Sequence, residues 1–281
     1  MSVGIVLEGG GMRGLYTAGV LDQLLEEEIK VDGMVTVSAG ALFGMNYASK
    51  QRGRALRYNK KYINDKRYIS VRSFLQTGNM INKEFAYHTV PFELDKFDQE
   101  AFARSGIDFY ATATNVETGE PEYFQITNGF QQIEALRASG SIPFVSQIVS
   151  YDGGKYLDGG VSDSIPIYKA KKLGYEKIIV VLTRPQEYRK IKPVSPRMID
   201  LFYRSYPEFA NRLKTRYQEY NEMLEHIIHL EQNGELFVIR PSQNIPIKIL
   251  EQDPEKLQTI YDLGMNDAQA EMKELKKYLF Y

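Results

Sequence analysis

The chain has 281 residues, 43% hydrophobic and 25% charged, with 35 Lys and Arg against 36 Asp and Glu and a formal net charge of -1 at pH 7. That length supports one large core or two small ones, and the charge balance argues against a strongly basic nucleic-acid-binding surface. Cysteine is absent, which excludes disulfides, thiolate zinc sites, iron–sulfur clusters and thiol nucleophiles.

The first apolar stretch, Val3 to Leu7, has the length and branching of a strand and runs into Glu8 and the glycines Gly9-Gly10-Gly11. It is too short for a signal-peptide core or a membrane span, and no window approaches roughly eighteen uninterrupted apolar residues, so the expectation is a cytoplasmic protein. Leu15 to Glu28 carries Leu15, Ala18, Leu21, Leu24 and Leu25 on one helical face. Met34 to Val37 reads as a buried strand and Ala39 to Ala48 as a helix of small residues. The first fifty residues therefore spell β-α-β-α, the pattern of a parallel sheet. Ile107 to Asn115 and Glu122 to Thr127 read as a hairpin through Thr118-Gly119, followed by a helix over Gln131 to Ala138 and a short strand at Lys155 to Leu157. A helix over Ile167 to Leu173 leads to Lys177-Ile-Ile-Val-Val-Leu182, the clearest buried strand, whose partner is Leu236 to Ile239. Pro207 to Gln232 predicts a long helix stopped at Asn233-Gly234, and Asp253-Pro254 caps a last one. One α/β domain with a helical C-terminal addition is the simplest division, cut into 1–190 and 191–281.

Gly9, Gly11 and Gly14 form G-x-G-x-x-G between a strand and a helix, as a dinucleotide site requires. Such a site also wants an acid at the end of the second strand. Ser38 stands there instead, before Ala39-Gly40 and a helix. A serine on a strand-to-helix turn has its hydroxyl pushed out of the sheet, and Gly40 lets the helix start close to the strand. The usual motif is G-x-S-x-G, and Thr36 replaces its first glycine. A serine hydroxyl needs a base. His88 follows an ordinary helical stretch, and His226 and His229 share a helix face without an H-E-x-x-H pattern, so all three read as packed or solvated. Asp158 is the better candidate, ending a short strand before Gly159 and Gly160, which permit a tight turn and close approach. Asp152, before Gly153-Gly154, is its rival and reads as the turn into the Lys155 strand. The backbone N–H groups of Gly10 and Gly11 are free of side chains and suit a developing oxyanion.

Gly9-Gly10-Gly11-Met12-Arg13-Gly14, the segment around Ser38, Ala138-Ser139-Gly140-Ser141-Ile142-Pro143 and Asp158-Gly159-Gly160 stand in the order and spacing of the patatin-like phospholipase family, bacterial branch, which the chain resembles over about residues 3 to 170. The resemblance implies a three-layer α/β/α fold, lipid acyl hydrolysis without metal, Ser38 as nucleophile, Asp158 as base, and Gly10, Gly11 and Met12 as oxyanion donors. It also places Arg13 where it buttresses the donor loop, and assigns Ala138 to Pro143 to shaping the loop beside the site. No cofactor is expected. Two alternatives stand beside it: a non-catalytic lipid-binding protein, permitted by Thr36, and a dinucleotide-dependent oxidoreductase using Gly9, Gly11 and Gly14. Lys50 to Arg72 holds nine Lys or Arg against Asp65 alone, interleaved with Tyr58, Tyr62 and Tyr68. It offers either peripheral contact with a membrane surface or pairing with acidic groups of the same chain.

Overall fold

A computed structural model describes residues 1–192 and 195–280; residues 193, 194 and 281, all in the span read as the C-terminal region, lie outside it. In chain order the elements are β1 (Val3–Leu7), α1 (Gly14–Glu26), β2 (Gly33–Val37), α2 (Ala39–Ala48), α3 (Arg54–Tyr62), α4 (Val71–Thr77), α5 (Gln99–Arg104), β3 (Asp108–Asn115), β4 (Pro121–Gln125) and α6 (Ile133–Ser139). They continue with β5 (Val149–Tyr151), β6 (Gly154–Asp158), α7 (Ile167–Leu173), β7 (Lys177–Val181), α8 (Pro196–Phe202), α9 (Pro207–Gln232), β8 (Phe237–Ile239) and α10 (Pro254–Phe280). A π-helical stretch, Glu84–Leu94, contains Pro91, which removes one of its amide donors.

The strands order β5-β6-β3-β2-β1-β7-β8, with β4 paired to β3 outside that path. The run from β3 through β2, β1 and β7 to β8 is parallel, and β4, β5 and β6 add antiparallel pairs at one end. Side-chain alternation along the parallel strands makes three layers. Ile5, Leu7, Met34, Ile179 and Val181 face α1, α2 and α10, meeting Leu15, Phe43 and Ile260. Val6, Val35, Ile178 and Val180 face the other way, onto Ile167 of α7 and Tyr220, Leu224 and Ile227 of α9. Residues 191–281 thus contribute an edge strand and a helix to each outer layer.

The register of β3 brings the distant parts of the chain together. Val37, the last residue of β2, pairs with Thr112, and the next residue of β3, Ala113, pairs with Asp158 of β6. Because β4 pairs with these same β3 residues, β2 and β6 must share the opposite edge, one taking over where the other turns away.

The crossing of α1 and α10 is equally close. A Cβ on Gly264 would meet the Tyr16 carbonyl oxygen, and one on Gly19 would meet that of Tyr261. Gly264→Ala is therefore expected to cost about 2 kcal/mol or more through overpacking, read as a lower urea midpoint with an unchanged m-value.

Candidate active site

Ser38 sits between β2 and α2 with φ 55° and ψ −122°, a left-handed conformation that a non-glycine residue adopts at a cost of roughly 1–3 kcal/mol. Its hydroxyl does not cap the helix. Instead Oγ donates to Asp158 Oδ2 at 2.5 Å, across 120 positions of sequence. The backbone N–H of Ser38 donates to Ser139 Oγ at 2.9 Å, which holds the turn from below. Gly9, Gly14 and Gly40 make the turn possible by proximity. A Cβ on Gly9 would lie 3.0 Å from that of Ser38, one on Gly14 2.6 Å from that of Ala39, and one on Gly40 2.9 Å from the Leu7 carbonyl oxygen. Gly9 and Gly14, two of the three glycines that spell a nucleotide fingerprint, thus press the first loop against the serine turn.

Asp158 is buried and held at every polar atom. Its N–H donates to the Ser141 carbonyl at 2.8 Å, its carbonyl accepts from Thr114 Oγ1 at 2.8 Å, and its Oδ1 accepts from the Gly160 N–H at 2.8 Å. Gly159 has no room for a side chain, because a Cβ there would meet the Thr112 carbonyl. Burial pushes the Asp158 carboxyl above the usual carboxylate range, opposed by the Ser38 hydroxyl, Arg216, the Gly160 N–H and Lys190. Asp152 and Gly153 are the exposed two-residue turn between β5 and β6, both with positive φ. None of the histidines reaches the dyad: His88 stacks on Phe92, His226 on Tyr168, and His229 lies beside Asn233.

Gly11 lines the same cavity as Ser38, and the N–H groups of Gly10 and Gly11 make no hydrogen bond among the described residues. Met12 differs from expectation. Its N–H donates to the Ile249 carbonyl at 2.9 Å, so that donor is already taken, while its buried side chain lines the adjoining cavity. Arg13 supports the loop through its backbone, its N–H donating to the Gly10 carbonyl at 3.2 Å. Thr36 donates its hydroxyl to the Tyr110 carbonyl at 2.7 Å and is absorbed into the sheet.

Beside Ser38 an apolar cavity of about 120 Å³ opens between α2, α6 and the π-helical stretch, lined by Leu42, Phe43, Tyr87, Val90, Ile133 and Leu136. Arg54, Tyr58, Asn59 and Tyr68 also line it. There Tyr68 donates to Asn59 and Arg54 to Asn46, so polar groups bond one another and leave an apolar lining. Among the described residues no group of His, Asp and Glu is arranged to hold a metal ion, and no helix is long and apolar enough to cross a membrane. Sequence reasoning assigned Ala138 to Pro143 only to shaping a loop and so missed Ser139 as the partner of the Ser38 amide; small polar residues beside Gly140 were the available signal.

A family model described as patatin-like phospholipase matches residues 5–171, and one described as a domain of unknown function (DUF6363) matches residues 206–280. The protein YjjU of Escherichia coli (strain K12) is 32% identical over 190 residues, covering 66% of this chain and 53% of YjjU. A protein of Debaryomyces hansenii named Lysophospholipase NTE1 is 29% identical over 185 residues, 64% of this chain and 12% of that protein. The chain thus spans about half the length of one curated relative and far less of the other. Among solved structures, VipD from Legionella pneumophila aligns over 96% of this chain and 67% of its own, at 12% identity and a TM-score of 0.42.

The burial of Asp158 has a stability consequence. With its folded pKa raised above the unfolded value of about 4, the native state holds the proton more tightly, so stability from this group is present at low pH and lost as pH rises through the folded pKa. Asp158→Asn is expected to raise the melting temperature by a few degrees at neutral pH, with the gain vanishing near pH 3, as thermal unfolding at both pH values would register.

Proposed function

The chain belongs to the patatin-like phospholipase family, and on that premise we propose that it hydrolyses the carboxylic ester of an acyl lipid with Ser38 as nucleophile and Asp158 as its base. The observation that carries this reading is the 2.5 Å contact between Ser38 Oγ and Asp158 Oδ2 on a strained turn at the mouth of an apolar cavity. The cavity takes the acyl chain and leaves its carbonyl over Ser38. Oγ attacks the carbonyl carbon as its proton passes to Asp158, and the oxyanion is met by the N–H groups of Gly10 and Gly11, each donor being worth about 3 kcal/mol in the transition state. Collapse expels the alcohol, which takes the proton from Asp158 and leaves the acyl group on Ser38. Water then attacks that ester, giving its proton to Asp158, and Ser38 departs with the proton restored. The relative named a lysophospholipase points to a phospholipid with one acyl chain as substrate. A non-catalytic lipid-binding role, suggested by Thr36, loses its support because that side chain is satisfied within the sheet and leaves the dyad in contact.

The proposed place of action is cytoplasmic, at the face of a lipid surface. The basic segment contributes less to this than its charge suggests. Arg52 pairs with Glu26, Arg54 and Arg57 with Asp95, Lys60 with Glu255 and Arg67 with Asp65, while Tyr58, Tyr62 and Tyr68 are buried. Lys50, Lys61, Lys66 and Arg72 form no ion pair among the described residues, and on α4 Arg72 stands with the exposed Val71 (64%) and Leu75 (80%). We assign the membrane contact to that helix.

Two measurements check these statements. Ser38→Ala and Asp158→Ala should each lower hydrolysis of p-nitrophenyl butyrate about a thousandfold or more with the fold retained, and a fluorophosphonate should label the wild type but not Ser38→Ala; turnover or labelling that survives rejects the dyad. Val71→Ser with Leu75→Ser should reduce co-sedimentation with anionic vesicles while leaving p-nitrophenyl butyrate turnover in place, and undiminished sedimentation removes α4 from the contact.

A further inference from the structure

Near Asp158, and outside the lining of the apolar cavity, four cationic side chains gather. Arg13 follows β1, Arg184 and Lys190 follow β7, and Arg216 stands on α9 one helical turn before Tyr220. These are positions beyond the carboxyl ends of parallel strands, where open α/β sheets form their ligand crevices. All four are half-buried, and none forms an ion pair among the described residues.

Each arginine carries five donors in a planar fork. Among the described residues no side-chain nitrogen of Arg13, Arg184 or Arg216 makes a hydrogen bond, and the Nε of each is fully buried without a partner. Lys190 Nζ has only Ser164 Oγ at 3.3 Å and the face of Tyr220 at 3.4 Å from its centroid. Two anions are near. Glu8 has its oxygens engaged, accepting from Thr183 Oγ1 at 3.0 Å and from the Tyr220 hydroxyl at 2.7 Å. Asp158 is committed to Ser38 and Gly160. Crowding is felt by the cations: burial and then Arg184 lower the affinity of Arg13 for its proton, and burial and then Arg216 lower that of Lys190.

The arrangement is built. Asn221 of α9 clamps the backbone of Lys190 on both sides, accepting from its N–H at 2.8 Å and donating to its carbonyl at 3.0 Å. Arg216 Nη2 would lie 3.0 Å from a Cβ on Gly160, the residue whose N–H holds Asp158, so the crevice adjoins the dyad. Unmatched guanidinium forks beside a lysine suit an anion with several unesterified oxygens.

We propose that Arg13, Arg184, Lys190 and Arg216 form a subsite for the phosphate of a lipid headgroup, so that the substrate lies across Ser38 with its acyl chain in the cavity and its phosphate in this crevice. The proposal rests on the acyl-ester reading of the dyad. It favours a lipid phosphate over free phosphate because the cations adjoin Asp158, the partner of the serine that lines the apolar cavity.

The test compares lysophosphatidylglycerol with the monoacylglycerol of the same chain length, which has the same ester and no phosphate. Wild type should prefer the phosphate-bearing ester in kcat/KM, and Arg184→Met should lower that preference about tenfold or more through KM. Lys190→Met serves as the second variant, with melting temperatures confirming that both are folded. Equal losses on the two esters would overturn the subsite. Independently of turnover, calorimetry on Ser38→Ala should show decyl phosphate binding more tightly than decanol and than inorganic phosphate, with the difference reduced by Arg184→Met. Decyl phosphate no tighter than decanol, or inorganic phosphate equal to decyl phosphate, overturns the headgroup assignment. If the wild type cleaves neither ester, the hydrolase reading fails while the binding arm still decides the subsite.

Discussion

The site depends on a change of partner along one edge of β3. β2 occupies that edge up to Thr112, then leaves it through the Ser38 turn, and β6 takes the next position with Asp158. A strand that ends early exposes backbone groups of its neighbour, and here another strand satisfies them. Ser38 and Asp158 are brought side by side by the register of the sheet, independently of the contact between their side chains. The strain of Ser38 and the burial of the Asp158 carboxyl are both unfavourable in isolation. They are held because the Ser139 hydroxyl, the Gly160 N–H and the packed glycines leave the two groups no other place.

The parallel part of the sheet was legible because each of its strands is a short, β-branched run between turn residues and helical faces. β1 and β7 were read almost to the residue, and the pairing of β7 with β8 was foreseen. Helix ends were less clear: α1 stops at Glu26, and Glu28, included in the expected helix, has φ 54°. Lys50 to Arg72 reads as a charge pattern, whereas that span forms α3 and the start of α4. The buried face of α3 is built from Tyr58, Asn59 and Tyr62, which apolar periodicity does not detect. Its cations were ambiguous for a related reason: Asp95, which pairs with two of them, lies 38 positions from the nearer one.

The candidate dyad was legible from local geometry, since a turn serine and a strand-end aspartate beside glycines each have a distinctive setting. Its surroundings were not. Ser139, Glu8, Lys190 and Arg216 act through contacts that sequence spacing does not reveal, and Arg216 in particular looks like any exposed cation of a long helix. The Met12 amide shows the same limit. Its availability is decided by Ile249, in the segment between β8 and α10, whose carbonyl also packs against Gly11. The C-terminal region therefore reaches into the donor loop itself.

The two sides of Ser38 differ in polarity in a way that bears on the base. A lipid laid across the serine exchanges water for hydrocarbon on one side, which favours the neutral form of Asp158. On the other side Arg216 and Lys190 favour its charged form while they remain unpaired. An anion seated between them offsets that attraction, so the carboxylate binds a proton more strongly when the crevice is filled than when it is empty. On the proposed reading, substrate binding itself makes Asp158 a stronger base toward the Ser38 hydroxyl. Headgroup recognition and activation of the nucleophile are then coupled through a single electrostatic neighbourhood, with no movement of the backbone required.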